Sequence, residues 1–446
     1  MLVILHGWSD SSSSFTRLAR FIGSEGLGGR KVVEIWLGDY VSMDDDVTYD
    51  DLAHAMDRAW RERKLPTAAR SVDIVAHSTG ALVVRYWLNR FYSAKRNPIR
   101  RMLLLAPANF GSHLAHKGHS LLARVWKGFK SKRTFNTGAK LLRGLELASP
   151  FTWQLALHDR FNEGEPWYGP GRILATVLVG STGYDGISAA ANEPGSDGTV
   201  LVSSANLQPL TVVMDFATNP KAPRFHFKEA NGVTAFCRIP GDNHSTIAWK
   251  DGGPRNKDVP KLVRDALTVT DDTFGEHVSS LAAKSAENRT IDRGKFYSQG
   301  YQNTVIRVRD DHGVDVSDYF IEVFAKHYGS NRPDNALTRQ IQEKVHIHAH
   351  KCGHAPSFRA LRFNCDALGA MIVEPGKPLY VSLTALPDIT ATRSVGYSTL
   401  EYMDIGSIRL DPPNIQRLFQ ADRTVLVDLR IKRQFVDNLV AFKRFG

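Results

Sequence analysis

Val72-Asp73-Ile74-Val75-Ala76-His77-Ser78-Thr79-Gly80 is the stretch on which the reading of this chain turns. An apolar run ends in a small residue, then a serine, then a glycine. Ala81-Leu82-Val83-Val84-Arg85-Tyr86-Trp87-Leu88 follows with helical character. Strand, sharp turn and helix together can hold a serine in a strained, exposed conformation, and its neighbours must then be small. Ala76 and Gly80 meet that demand, with alanine where a G-x-S-x-G pattern has its first glycine. A helix that starts just after Ser78 offers backbone N–H groups with no intrahelical partner, which favour a developing negative charge. The blander reading is a Ser-Thr-Gly turn in an ordinary strand–helix unit, and the surrounding chain decides between the two.

Working outward, strand signals alternate with helix signals. Leu2–Leu5 and Val32–Trp36 read as strands, Phe15–Ile22 and Asp50–Arg63 as helices, with Leu52, Met56, Ala59 and Trp60 on one face of the latter. Met102–Leu105 and Ile173–Val179 are continuous apolar strands. Strands separated by helices and apolar on both faces predict an α/β fold with a mainly parallel sheet. Arg224–Glu229 and Val233–Ile239 flank Asn231-Gly232 and read as a hairpin. Lys261–Leu267 looks helical, and Ser279–Thr290 is small and polar, which reads as linker. Beyond it, Val305–Arg309, Tyr319–Phe324, Leu379–Leu383 and Val425–Ile431 alternate with strand period and no helices between them. That predicts a C-terminal all-β, sandwich-like domain. The expected division is an α/β domain over 1–285, a linker over 286–300 and an accessory β domain over 301–446.

A chain of 446 residues suits two or three domains. No apolar run approaches the ~20 residues that span a bilayer, so an integral membrane protein is not expected. The N-terminus lacks a basic n-region and a cleavage site, which predicts a cytoplasmic protein or one exported without a cleavable signal. Cys237, Cys352 and Cys365 are too few and too scattered for a disulfide framework or a zinc knuckle. The net charge of +11 favours anionic partners. With no RNA- or DNA-binding motif in the chain, a peripheral contact with anionic membrane is expected and a nucleic-acid partner is not.

A nucleophilic serine needs a base, a carboxylate to orient that base, and two N–H donors for the oxyanion. His6-Gly7-Trp8 ends the first strand, and the backbone N–H groups of Trp8 and Thr79 are the expected donors. Ser196-Asp197-Gly198-Thr199-Val200 follows a later sheet strand and offers Asp197 on a sharp Asp-Gly turn; Asp185 and Asp242 are its rivals. Gly241-Asp242-Asn243-His244-Ser245 follows Val233–Ile239 and offers His244 as the base, while His77 is expected to pack under the serine. With sixteen histidines in the chain, one after a strand is weak evidence by itself. The order Ser78, Asp197, His244 adds to it.

Lys117–Leu157 breaks the pattern as a helical insertion between sheet strands. Leu121, Leu122, Val125, Trp126 and Phe129 fall on one helical face, and Lys117–Arg143 holds eight Lys/Arg and no Asp/Glu. The expectation is a lid whose apolar face covers the site and binds substrate, and whose charge meets anionic lipid. A solvated cap helix is the plainer alternative. His346, His348, His350, Cys352 and His354 alternate and would share one face of a strand, but no carboxylate completes them, and no metal and no cofactor is expected.

The first ~280 residues resemble the bacterial lipase branch of the α/β-hydrolase superfamily. The resemblance is carried by His6-Gly7-Trp8-Ser9, Ala76-His77-Ser78-Thr79-Gly80, Asp197-Gly198-Thr199-Val200 and Asn243-His244, in the family's order. Ala106-Pro107-Ala108-Asn109-Phe110-Gly111-Ser112 is similar to the segment that leads into the lid of such lipases. Phospholipases and membrane-acting acyl hydrolases with C-terminal β domains are similar in layout. The resemblance implies ester hydrolysis through an acyl-enzyme, with lipid esters preferred. Some lipases of this branch bind calcium through an aspartate just after the histidine; Thr246 and Ile247 stand there. A small-ester or thioester hydrolase is the alternative within enzymes. A non-catalytic membrane- or partner-binding module on a hydrolase scaffold is the alternative outside them.

Overall fold

The computed structural model describes residues 1–5, 15–24, 27, 30–42, 44–115, 138–219, 223–291, 299–327, 330, 332–385, 395–397 and 408–435. The chain forms two compact units. The first gathers Met1–Pro209, Glu229–Gly300 and Asp422–Thr424, the second Leu210–Lys228, Tyr301–Ala421 and Val425–Gly446.

The first eight strands are β1 (Leu2–Leu5), β2 (Val32–Ile35), β3 (Val72–His77), β4 (Ile99–Leu105), β5 (Leu174–Gly180), β6 (Leu210–Asp215), β7 (Arg224–Glu229) and β8 (Ala235–Ile239). Six of them form the sheet of the first unit, in the order β2-β1-β3-β4-β5-β8 and parallel at every pairing. Alternate residues of each strand feed different cores. Ile74 and Ala76 join Leu52, Met56 and Leu82 on one face, while Val75, Leu103 and Leu105 join Leu18, Ile22 and Val263 on the other. This is why these strands are apolar throughout. The chain steps from β1 to β2 on one side and then returns to lay β3 on the other. The crevice beyond the carboxyl ends of β1 and β3 is therefore a topological switch point, where ligands of open α/β sheets bind.

The Asn231-Gly232 turn does not close a hairpin. Asn231 Nδ2 donates to Asn162 Oδ1 at 2.9 Å and to the Gly164 carbonyl at 2.9 Å, which ties the turn to another loop. β8, buried at four of its five residues, then enters the parallel sheet, while β7, exposed at four of its six, joins the second unit's sheet with β6. Residues 210–228 consequently belong to the second unit, a boundary that strand patterning does not show.

The stretch read as linker is helix Phe274–Ile291. Its small polar residues have a job at the sheet edge. β8 is an outer strand, and Ser285 Oγ accepts from the Arg238 N–H at 3.2 Å while Asn288 Nδ2 donates to the Arg238 carbonyl at 2.7 Å. Val278 and Leu281 of the same helix pack on the sheet. The edge is covered there, and the Arg238 backbone groups are satisfied.

The second unit holds β6 and β7 with β9 (Tyr301–Asp310), β10 (Tyr319–Phe324), β11 (His346–Lys351), β12 (Phe358–Asn364), β13 (Leu379–Ala385), β14 (Val395–Tyr397), β15 (Ile408–Leu410), β16 (Thr424–Ile431) and β17 (Arg433–Phe435). A mixed six-stranded sheet runs β11-β12-β9-β16-β6-β7, a three-stranded antiparallel sheet runs β10-β13-β15, and β14 pairs with β17. Val212, Ile306 and Val427 of the first sheet and Tyr319, Leu383 and Leu410 of the second share one core. Helices Asn335–Lys344, Cys365–Leu368 and Pro412–Leu418 add to the strands that alternation predicts.

A bulge in β11 corrects the one-face reading of the histidines. His346 pairs with Phe363 and His348 with Arg362, so consecutive positions of β12 face them, and His346 lies on the opposite face from His348 and His350. Among the described residues no helix is long and apolar enough to cross a membrane.

Candidate active site

Ser78 follows the last residue of β3 directly, at the switch point. Its φ is 56°, in the left-handed region that a non-glycine residue adopts only under constraint. The constraint is local. The Ser78 N–H donates to the Leu105 carbonyl at 3.1 Å, and the Ser78 carbonyl accepts from the Ala81 N–H and the Ala108 N–H, both at 3.3 Å. Ala76 and Gly80 are fully buried around the turn, which explains the demand for small side chains. Helix Gly80–Phe91 begins immediately after, with Thr79 at its N-cap.

His244 and Asp197 arrive from loops beyond the same end of the sheet. His244 Nε2 lies 3.0 Å from Ser78 Oγ, and His244 Nδ1 lies 2.9 Å from Asp197 Oδ2. The second carboxylate oxygen, Oδ1, accepts from the backbone N–H groups of Thr199 at 2.9 Å and Val200 at 2.7 Å. The His244 N–H donates to the Asp197 carbonyl at 3.0 Å, so backbone as well as side chain joins the two loops. Asp197 is fully buried, and Ser78 and His244 nearly so. A buried carboxylate with every oxygen hydrogen-bonded stays oriented toward one partner.

The rival carboxylates are engaged elsewhere. Asp185 is exposed and pairs with Arg255 at 3.1 Å. Asp242 is buried, but accepts from Thr246 Oγ1 at 2.7 Å and from the N–H groups of Arg255 at 2.8 Å and Asn256 at 3.1 Å. It braces the loop that carries His244. His77 Nε2 donates to the His244 carbonyl at 2.9 Å, and the two rings lie 4.6 Å apart between centroids, tilted by 48°. His77 thus lies under the serine and against His244, with no reach to the Ser78 hydroxyl among the hydrogen bonds described.

Residues that patterning did not single out also shape the site. Gly198 has φ 93°, and a Cβ there would stand 2.5 Å from the Tyr184 ring, so the Asp-Gly turn needs glycine on both counts. The Tyr184 hydroxyl bonds Thr199 Oγ1 at 2.8 Å, and burial raises its pKa, which keeps it neutral beside Asp197. Under the helix that follows Ser78, the buried Arg85 makes a two-pronged pair with Asp159, Nε to Oδ2 at 2.8 Å and Nη2 to Oδ1 at 2.9 Å. Tyr168 donates to Asp159 at 2.9 Å, and Arg85 Nη1 donates to the Asn109 carbonyl at 3.2 Å. An arginine inside the apolar run Ala81–Leu88 was the sequence signal for this network.

Segment 106–112 runs past the site into the insertion. Gly111 has φ 89°, and a Cβ there would meet the Glu146 carbonyl oxygen at 2.8 Å; the Ser112 N–H donates to the Leu145 carbonyl at 2.9 Å. The insertion therefore leaves and rejoins the body at one place. Its returning half is not lid. Helices Ala139–Leu145 and Pro150–Asp159 bury Leu141, Leu142, Leu145 and Leu155 in the main core. The expected lid residues Leu121, Leu122, Val125, Trp126 and Phe129, and the expected oxyanion donor Trp8, lie outside the described residues.

A strained serine at the switch point of a parallel sheet, with histidine and aspartate in hydrogen-bonded series from later loops, matches one fold. The chain has the α/β-hydrolase fold. Phospholipase PlaB from Legionella pneumophila superposes with a TM-score of 0.78 at 21% identity, over 99% of this chain and 97% of that one. The same protein in complex with thio-NAD gives the same values. The mature form of lipase BlEst2 from Bacillus licheniformis reaches a TM-score of only 0.37 at 17% identity, over 60% of this chain and 91% of that one. No protein-family model and no curated protein matches the sequence. The likeness in fold to PlaB covers residues of both units.

Proposed function

We propose that this protein is a serine hydrolase that cleaves carboxylic esters of lipids, of lipase or phospholipase A type, through an acyl-enzyme. The observation that carries the proposal is the series Asp197–His244–Ser78, joined at 2.9 and 3.0 Å. Ser78 Oγ attacks the ester carbonyl carbon as His244 Nε2 takes its proton. Asp197 holds His244 in the tautomer with Nδ1 protonated and stabilises the imidazolium that forms. The negative oxygen of the tetrahedral intermediate is held by the Thr79 N–H and by the Trp8 N–H, which lies outside the described residues. Collapse breaks the carbon–oxygen bond to the alcohol, which leaves with the proton from His244 and leaves the acyl group on Ser78. Water then attacks that acyl group, gives a proton to His244, and releases the acid as the proton returns to Ser78 Oγ.

The preference for lipid esters is supported by the match in fold to a phospholipase over nearly the whole chain. It is also supported by the apolar and basic insertion, in which Arg124, Lys127, Lys130, Lys132 and Arg133 would each add roughly 1 kcal/mol near an anionic surface. The test is hydrolysis of a p-nitrophenyl ester series and of phospholipid vesicles by the wild-type chain and by Ser78→Ala. Loss of turnover by several orders of magnitude on every substrate, with the folded spectrum retained, is expected. Substantial turnover by a folded Ser78→Ala protein overturns the proposal. Neutralising the five basic residues is expected to slow turnover on anionic vesicles and leave a short soluble ester unaffected; equal effects on both substrates refute the membrane contact.

A further inference from the structure

The two sheets of the second unit do not close on each other along their whole length. Met214, Phe225, Ile321, Val323 and Val381 sit at inward-facing strand positions yet remain partly exposed. Between them lies an apolar cavity, part of it open to solvent. Protein interiors are ordinarily close-packed, so an unfilled apolar gap between two sheets departs from the rule.

The lining decides what fits. Gln302 and Thr304 are its polar residues, and they bond each other and the backbone: Gln302 Nε2 donates to Thr304 Oγ1 at 2.7 Å, and Gln302 Oε1 accepts from the Gln420 N–H at 2.6 Å. The wall therefore presents carbon. A peptide, a glycerol or a phosphate drawn inside would leave polar groups without partners, and so would water. A hydrocarbon chain has no such cost. A cation stands next to the lining in the chain. Arg417 is exposed and adjoins the lining residues Leu418 and Phe419, and its guanidinium lies 4.1 Å from the centre of the Phe227 ring. Phe227 shares the inward face of β7 with Phe225, which lines the cavity.

We propose that the second unit binds one free fatty acid, its hydrocarbon chain in the cavity between the sheets and its carboxylate at Arg417. The site is separate from Ser78 and does not depend on the ester-hydrolase reading, since binding is measured without turnover.

The experiment is calorimetric titration of the intact protein with octanoate, decanoate and dodecanoate below their micellar concentrations. Each added methylene is expected to tighten binding about fourfold while the cavity fills. Val381→Phe and, independently, Val323→Phe fill the cavity and are expected to weaken dodecanoate at least tenfold while ester turnover stays at the wild-type level. Should one of them fail to fold, as thermal melting will show, the other carries the test. Arg417→Gln is expected to weaken dodecanoate several-fold and leave 1-dodecanol unaffected. Binding that is indifferent to chain length, or that survives both filling variants in folded protein, places the ligand elsewhere and overturns the proposal. A change of oligomeric state on filling, without a change in dodecanoate affinity, makes the cavity a protein interface and equally overturns it.

Discussion

Replacing Asp197 by asparagine isolates what the carboxylate does, because the structure dictates how the new amide must sit. Oδ1 accepts from two backbone N–H groups, those of Thr199 and Val200. An asparagine can satisfy both only with its carbonyl oxygen there, which turns its NH2 group toward His244 Nδ1. An NH2 group donates, so Nδ1 must become an acceptor and the imidazole proton moves to Nε2. Nε2 then faces Ser78 Oγ as a donor and cannot take its proton. Geometry and stability stay near wild type while the tautomer is wrong. In serine proteases the same change lowers kcat about ten-thousand-fold, or roughly 5 kcal/mol of barrier, and a loss of that order is expected here. The assay is kcat for a p-nitrophenyl ester, compared across Asp197→Asn, Asp185→Asn and Asp242→Asn. Asp185 is an exposed partner of Arg255, so its variant should lose less than a few-fold. Asp242 accepts three hydrogen bonds inside its loop, so its variant should melt earlier by about 1–3 kcal/mol of stability, with a much smaller loss in kcat than Asp197→Asn. If Asp185→Asn or Asp242→Asn, in folded protein, proves the slowest of the three, the assignment of Asp197 is wrong.

Three further outcomes can be checked. Gly198→Ala should cost at least about 1–2 kcal/mol of stability from its φ of 93° alone, and turnover should fall as Asp197 shifts; Tyr184→Ala in the same chain should recover only the steric part, measured by a double-mutant cycle in melting temperature and kcat. Arg85→Met leaves the Asp159 carboxylate buried without its partner and should destabilise the first unit by about 3–5 kcal/mol in denaturant titrations, with partial recovery when Asp159→Asn is added. Asn288→Ala leaves the Arg238 carbonyl on the outer edge of the sheet with only the weak Cys237 thiol donor at 3.5 Å, and chemical denaturation should show a loss of about 1–3 kcal/mol with little change in KM.

Much of the first unit was legible because its signals are local. A strand buried on both faces must be apolar at every position, so β1, β3, β4 and β5 stand out in the sequence without any knowledge of their partners. The turn at Ser78 likewise needs small neighbours within two residues, and the chain supplies them. The order Ser78, Asp197, His244 follows from the loops at the carboxyl ends of successive strands, again a matter of sequence position. Distance was not legible. Choosing Asp197 over Asp185 and Asp242 rested on an Asp-Gly turn, whereas the structure distinguishes them by what each oxygen touches. Where one element must serve another far along the chain, patterning misled. Ser285 and Asn288 are small and polar because they cap a sheet edge near Arg238, and composition alone made them linker. Asn231-Gly232 has the chemistry of a hairpin, yet its flanking strands join different sheets, because strand pairing is settled by burial in the finished fold and not by the turn. The bulge that separates His346 from His348 exists only in the pairing of β11 with β12. The sequence by itself determined the sheet, the strained serine and the order of its partners, since each depends on residues close in the chain. Only the tertiary structure decided which carboxylate faces His244, where each strand pairs and where the cavity of the second unit opens, since those depend on contacts between residues that the sequence keeps far apart.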